Sequence, residues 1–228
     1  MVRAGQAERS LWLAGYIMAG GASSRFGEDK ALVEIGGRRM LDRMIHLMRC
    51  VTPKVKIVGP KERYTEFGIE TVADRWPGEG PLGGIITALL DAAADSSQAT
   101  SNQQSRVTSQ EAGAWCLVVS CDMPFLTEDW LRFLTQHAES STAEVVLPRS
   151  AGGFEPLCAC WQLRAAEALR RAFERGVRKM MDGVREVKAE VLDERDWKRF
   201  DSAGRLFWNM NTTSDYEEAR RILEAEGR

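Results

Sequence analysis

The chain has 228 residues, 44% hydrophobic and 28% charged, which excludes a disordered or fibrous protein and fits one α/β domain, or at most two small ones, with a sizeable core. Its 31 basic and 33 acidic side chains leave a net charge of −2, which argues against a general nucleic-acid or membrane-surface binder. No apolar run reaches the roughly 18 residues of a spanning helix.

Residues 1–10 are polar and aperiodic, as in a frayed leader. Leu11 to Met18 reads as a buried first strand. Arg3 and Arg9 ahead of Leu11 to Ala22 imitate a short signal peptide, but the glycines that end the stretch have a better use in phosphate binding. Met40 to Cys50 has apolar residues at 40, 41, 44, 45, 47 and 48, a helical spacing. Val55–Val58 and Ile69–Ala73 read as short strands, and Pro81 to Ala94 as an Ile/Leu/Ala helix. Strands alternating with helices predict a mainly parallel sheet covered on both faces.

Asp95 to Gly113 is rich in Ser, Thr, Gln and Asn and reads as a flexible surface insertion, with a domain linker as the alternative. The apolar strand Trp115 to Val119 follows at once and favours a single domain over residues 1–228. A helix over Thr127–His137 has Thr127 as N-cap and Glu128 and Asp129 in its first turn. Glu144–Leu147 and Pro156–Trp161 read as strands, and Leu163–Arg175 as an amphipathic helix. Val187–Leu192 and Leu206–Met210 are the last strand candidates, and Thr213–Glu226 closes the chain as a helix. Trp115, Trp161 and Trp208 then belong to the core, whereas Trp76 either packs in its loop or faces a flat ligand. Cys50, Cys116, Cys121, Cys158 and Cys160 form no Cys-x-x-Cys pair, and only His46 and His137 accompany them. That set suits free thiols in a reducing cytoplasm better than zinc.

Four groups of residues carry chemistry. Met18-Ala-Gly-Gly-Ala-Ser-Ser-Arg-Phe-Gly-Glu-Asp-Lys30 follows the first strand. Gly20 and Gly21 let backbone N–H groups cradle an anion, and Arg25 and Lys30 add charge suited to a triphosphate. The loop is neither a Walker loop nor Gly-x-Gly-x-x-Gly. Asp122, in Ser120-Cys-Asp-Met-Pro-Phe125, stands at the carboxyl end of a central strand, where a carboxylate holds Mg²⁺ against phosphate oxygens or merely caps a turn. Asp74, a ligand contact or an ordinary turn aspartate, precedes the glycine-rich Gly78-Glu-Gly-Pro-Leu-Gly-Gly84, which lets something flat lie against backbone. Asn209 and Asn211 alternate on the expected strand or belong to a capping turn.

In this order the motifs resemble the molybdenum cofactor guanylyltransferases of the nucleotidyltransferase superfamily. The family opens Leu-Ala-Gly-Gly-x-Ser-x-Arg-Met-Gly-x-Asp-Lys, matched here over residues 18–30 with two conservative departures. Gly-Pro-Leu-Gly-Gly-Ile (80–85), Cys-Asp-Met-Pro (121–124), Glu-Pro-Leu-Cys-Ala (155–159) and Asn-Met-Asn-Thr (209–212) follow in the family's sequence. Thr213 replaces the family's usual proline, and the polar stretch at 95–113 is unusual for it. The resemblance implies a three-layer, Rossmann-like nucleotidyltransferase fold with a mainly parallel central sheet. It implies Mg²⁺-dependent transfer of GMP from GTP to the phosphate of molybdopterin, giving a guanine dinucleotide and pyrophosphate. Implied partners are GTP, molybdopterin and, transiently, cofactor-synthesis or acceptor enzymes. Residues and resemblance together assign Arg25, Lys30 and Asp122 to catalysis, with Asp122 as the metal ligand. They assign Met18, Ala19, Gly20, Gly21, Lys30, Asp74, Gly83, Asp122, Asn209 and Asn211 to ligand binding.

Two alternatives stand beside this reading. A cytidylyltransferase for the same cofactor, or a sugar-phosphate nucleotidyltransferase, would share the loop. Gly20-Gly21 and Asp29 favour the guanylyl branch, because cytidylyl relatives more often show Ala-Ala-Gly and Pro-Lys. A non-catalytic nucleotide-binding accessory protein would not need Arg25, Lys30 and Asp122 intact.

Overall fold

The computed structural model describes residues 13–20, 29–102, 113–201 and 203–226. The expected leader, Gly21 and Arg25 lie outside them. In chain order, β1 (Leu13–Met18) precedes a small hairpin of β2 (Glu34–Ile35) and β3 (Arg38–Arg39), which turns on Gly36 and Gly37 at positive φ. There follow α1 (Met40–Arg49), β4 (Val55–Val58), β5 (Thr71–Val72), α2 (Pro81–Asn102), β6 (Trp115–Ser120) and α3 (Glu128–Ser140). The chain continues through β7 (Val145–Ser150), β8 (Gly153–Phe154), β9 (Cys158–Gln162), α4 (Ala165–Glu174), α5 (Met180–Val184), β10 (Ala189–Leu192), α6 (Glu194–Trp197) and α7 (Thr213–Ala225).

The strands form one sheet in the order β10-β7-β9-β6-β1-β4-β5, with β8 paired to β7. β1 runs parallel to β4 and β6, β4 to β5 and β7 to β10. β9 alone is antiparallel to both its sheet neighbours, β6 and β7. Only residues 151–157 separate β7 from β9, too few for a parallel crossover. Strand alternation feeds two cores. Ile17, Leu117 and Val119 face Leu41, Met44, Trp130 and Leu134 of α1 and α3. Tyr16, Cys116 and Val118 face Ile85, Ile86, Leu89 and Leu169 of α2 and α4. This is the expected three-layer α/β arrangement. Thr127 caps α3 as expected, its side chain accepting from Trp130 N at 3.3 Å.

An ion cluster ties the sheet to α2. Lys56 Nζ on β4 lies 3.1 Å from Glu70, 2.9 Å from Asp91 and 2.8 Å from Asp95, and the Tyr16 hydroxyl donates to Asp91 at 2.7 Å. Burial pulls the Lys56 ammonium down, but its bonds to the three carboxylates outweigh this and hold it above its ordinary value.

Three expectations are corrected. The helix expected to end at Ala94 continues to Asn102, so the polar stretch begins as helix; Ala92 to Ala94 favour it and Asp95 is held by Lys56. Residues 103–112 of that stretch lie outside the described residues. Leu206–Met210 is not a strand. Its apolar Leu206, Phe207 and Met210 are buried, but the Asp201 carboxylate takes Arg205 N and Leu206 N, and Met210 N goes to Asp122 O. Trp208 accordingly lies outside the sheet, half-buried and stacked on Phe125 at 5.5 Å. Trp115 and Trp161 are core, as expected.

Candidate active site

Met18, Val58 and Ser120 are in register at the carboxyl ends of β1, β4 and β6. A cleft of about 780 Å³ opens there, lined among others by Met18, Ala19, Gly20, Lys30, Asp74 and Asp122. Gly20 has φ +98°, and a Cβ on it would fall 2.5 Å from the Pro60 ring. Gly59 is tighter, because its Cβ would stand 2.4 Å from Ala19 O and 2.9 Å from Tyr64 Cε2. Gly59→Ala is therefore expected to destabilise the fold by about 2–3 kcal/mol and lower Tm by about 5–10 °C in a thermal melt. A melting point within about 2 °C of the parent would show that the loop gives way easily.

Lys30 and Asp122 are 92 residues apart in sequence, yet Lys30 Nζ lies 3.3 Å from Asp122 Oδ2. The same ammonium donates to Asn211 Oδ1 at 3.0 Å. Asp122 Oδ1 accepts the Ser120 hydroxyl at 2.6 Å, which fixes the carboxylate's rotation. The two charged side chains are 17% and 16% exposed, reachable from the cleft but largely desolvated. Asp215 accepts Asn211 N and Thr212 N at 2.8 Å, while Thr212 caps α7, so the chain's last helix holds Asn211 in place. Burial works against the Asp215 carboxylate's charge, but these backbone donors prevail and leave it below its ordinary value.

Other expected site residues are placed differently. Asn209 turns onto its own backbone, donating to Phe207 O at 3.1 Å, because residues 206–210 are not an alternating strand. Gly83 is buried under Trp76 and Phe173, and its neighbour Gly84 lines the cleft; the turn of α2 from Pro81 aims Gly83 into the core. Trp76 packs on Phe173 at 5.1 Å between ring centroids and does not line the cleft. Asp74 Oδ1 accepts Trp76 N at 3.0 Å and the Thr87 hydroxyl at 3.1 Å. Its Oδ2 takes no hydrogen bond among the described residues, and Asp74 lines the cleft. Glu155 is half-buried on Ser150 Oγ at 2.7 Å, its pKa raised by burial, and Leu157 reaches the cleft in its stead.

Pro60, Lys61 and Glu62 line the cleft although sequence reading passed over them. Their only signal was position, directly after a parallel strand. Among the described residues no group of three or more His, Cys, Asp or Glu is arranged to hold a metal ion.

A glycine turn, a lysine and a carboxylate at the carboxyl ends of parallel strands define a nucleotide-binding α/β protein. The model of the MobA-like NTP transferase domain matches residues 15–190, and the chain belongs to that family of nucleotidyltransferases. It is 31% identical to a probable molybdenum cofactor guanylyltransferase of Pelotomaculum thermopropionicum, over 94% of this chain and 95% of that protein. It is also 31% identical to a molybdenum cofactor guanylyltransferase of Rhodopseudomonas palustris, over 93% and 94% of the two chains. Among solved structures, the molybdopterin-guanine dinucleotide biosynthesis protein A of Archaeoglobus fulgidus superposes with a TM-score of 0.72 at 23% identity, covering 93% of this chain and 99% of that one. The 4-diphosphocytidyl-2C-methyl-D-erythritol synthase of Anaerococcus prevotii shares the fold at 13% identity and a TM-score of 0.61, covering 94% and 96%.

Proposed function

We propose that the protein transfers GMP from GTP to the phosphate of molybdopterin, forming the guanine dinucleotide and releasing pyrophosphate. The observation that carries this reading is the Lys30–Asp122 pair beside Gly20, at the mouth of three parallel strands. The names of the two 31% identical relatives point the same way.

The acceptor phosphate is already ionised at neutral pH, so the chain supplies no nucleophile and instead brings anions together. Gly20 and Gly21 receive the triphosphate on backbone N–H groups, and Arg25 and Lys30 neutralise the charge that grows on the departing pyrophosphate. Asp122 would hold Mg²⁺, a hard cation bound through one or two carboxylates. When bound, the ion supplies Lewis-acid charge beside the phosphates. Lys30 meanwhile keeps the Asp122 carboxylate paired, and Asn211 offers the ammonium a neutral partner once the carboxylate is engaged elsewhere. The five thiols are unpaired and four are buried, which suits a reducing cytoplasm. No described helix is long and apolar enough to cross a membrane.

Asp74 is our candidate for reading the base: Oδ2 faces the N1–H and N2–H₂ donors of guanine, while cytosine offers one amino group. Asp74→Asn keeps an acceptor for Trp76 and Thr87 and puts donors where a lone pair stood. The expected result is a parent that releases pyrophosphate from GTP at least about tenfold faster than from CTP, and a variant in which that ratio falls towards one with Tm unchanged. A parent that prefers CTP overturns the guanylyl reading. A variant with undiminished selectivity moves base recognition to the backbone of Met18 to Gly20.

A further inference from the structure

Both ends of the phosphate loop rest on one short segment, Val58 to Tyr64. At the loop's entry, Ala19 N donates to Val58 O at 2.9 Å, and Gly59 and Pro60 lie against Ala19 and Gly20 so closely that neither glycine has room for a Cβ. At its exit, the Tyr64 hydroxyl donates to Asp29 Oδ2 at 2.9 Å. Asp29 Oδ1 accepts Ala31 N at 3.1 Å, so this one carboxylate fixes the backbone on both sides of Lys30. Arg63 also reaches Oδ2, at 3.3 Å, but its side chain is 58% exposed and such a contact is weak in water. Tyr64 is wholly buried, edge-on to Phe67 at 6.3 Å, with its hydroxyl directed at Asp29. Burial, with Asp29 beside it, keeps the phenol well above its ordinary pKa, so it remains a donor at any working pH.

We propose that Tyr64 is a positioning residue for Lys30: through Asp29 its hydroxyl sets the loop exit so that the ammonium stands between Asp122 and Asn211, where phosphates arrive. A lysine has four flexible carbons, and its charge is useful at one point only if the backbone beneath it is fixed. The alternative is that Tyr64 merely fills space beside Gly59, in which case its ring matters and its hydroxyl does not. The inference rests on the GTP reading, and the experiment separates the two.

GTP binding is measured by calorimetry for the parent, Tyr64→Phe, Lys30→Met and the double variant, with a thermal melt of each. Tyr64→Phe is expected to weaken GTP binding about tenfold while Tm stays within about 3 °C, since the ring is retained. In the Lys30→Met background the same change is expected to have no further effect, a coupling that a packing role does not produce. Asp29→Asn is expected to reproduce the loss, and Tyr64→Phe/Asp29→Asn to bind no more weakly than either single variant. Unchanged binding in Tyr64→Phe, or an equal loss with and without Lys30, overturns the proposal. A parent that binds no GTP overturns the nucleotide reading beneath it, a result visible before any variant is compared.

Discussion

Asp122→Asn is expected to retain the parent's melting temperature and lose about a thousandfold in turnover with saturating GTP, molybdopterin and Mg²⁺. The amide keeps an oxygen for the Ser120 hydroxyl, so the turn after β6 has no reason to move. What disappears is the negative charge at 3.3 Å from Lys30, and with it the ammonium's charged partner and a carboxylate suited to a hard cation. Pyrophosphate release in single-turnover mixing is the direct measurement. Turnover within about tenfold of the parent would place metal binding elsewhere.

A stability loss as large as that of Gly59→Ala is expected away from the cleft, at Lys56→Met. The lysine side chain is 13% exposed and serves three carboxylates, of which Asp91 is 23% exposed. Methionine fills the stem's volume but leaves like charges facing each other between β4 and α2. Removing one partner of a fully buried pair costs about 3–5 kcal/mol; Glu70 and Asp95 reach water, so the expected loss is about 2–3 kcal/mol, or about 5–10 °C in Tm. A chemical-denaturation series with an unchanged m-value reads it directly. A loss below about 0.5 kcal/mol would mean that solvent already screens the cluster.

The parts of the site readable in sequence are those whose chemistry is local. Gly20 needs its positive φ, Asp122 ends an apolar strand, and Thr127 precedes an acidic first turn; each leaves a mark within a few residues. The partners of Lys30 do not, since Asp122 and Asn211 meet it only through sheet order and the docking of α7. Lys56 likewise leaves no mark in the sequence around it, because its three carboxylates come from other segments of the chain. Leu206–Met210 misled for another reason. A buried apolar run without alternation has the same composition whether it is strand or packed loop, and hydrogen bonds to Asp201 decided the matter. Asn209 loses its alternating strand position along with it. The polar residues after Ala94 carry no core signal, so nothing in their composition revealed that α2 runs on to Asn102.

The bond from Met210 N to Asp122 O and the one from Lys30 to Asn211 have a temporal consequence. The chain is synthesised from its amino end, and the strands flanking the cleft are complete once Ser120 has been made. The turn after β6 and the ammonium of Lys30 nevertheless wait for Met210 and Asn211. A nascent or prematurely terminated chain can thus pair these strands while the cleft is still missing a wall. The cleft is thus closed by contacts made long after the strands that carry it have been synthesised.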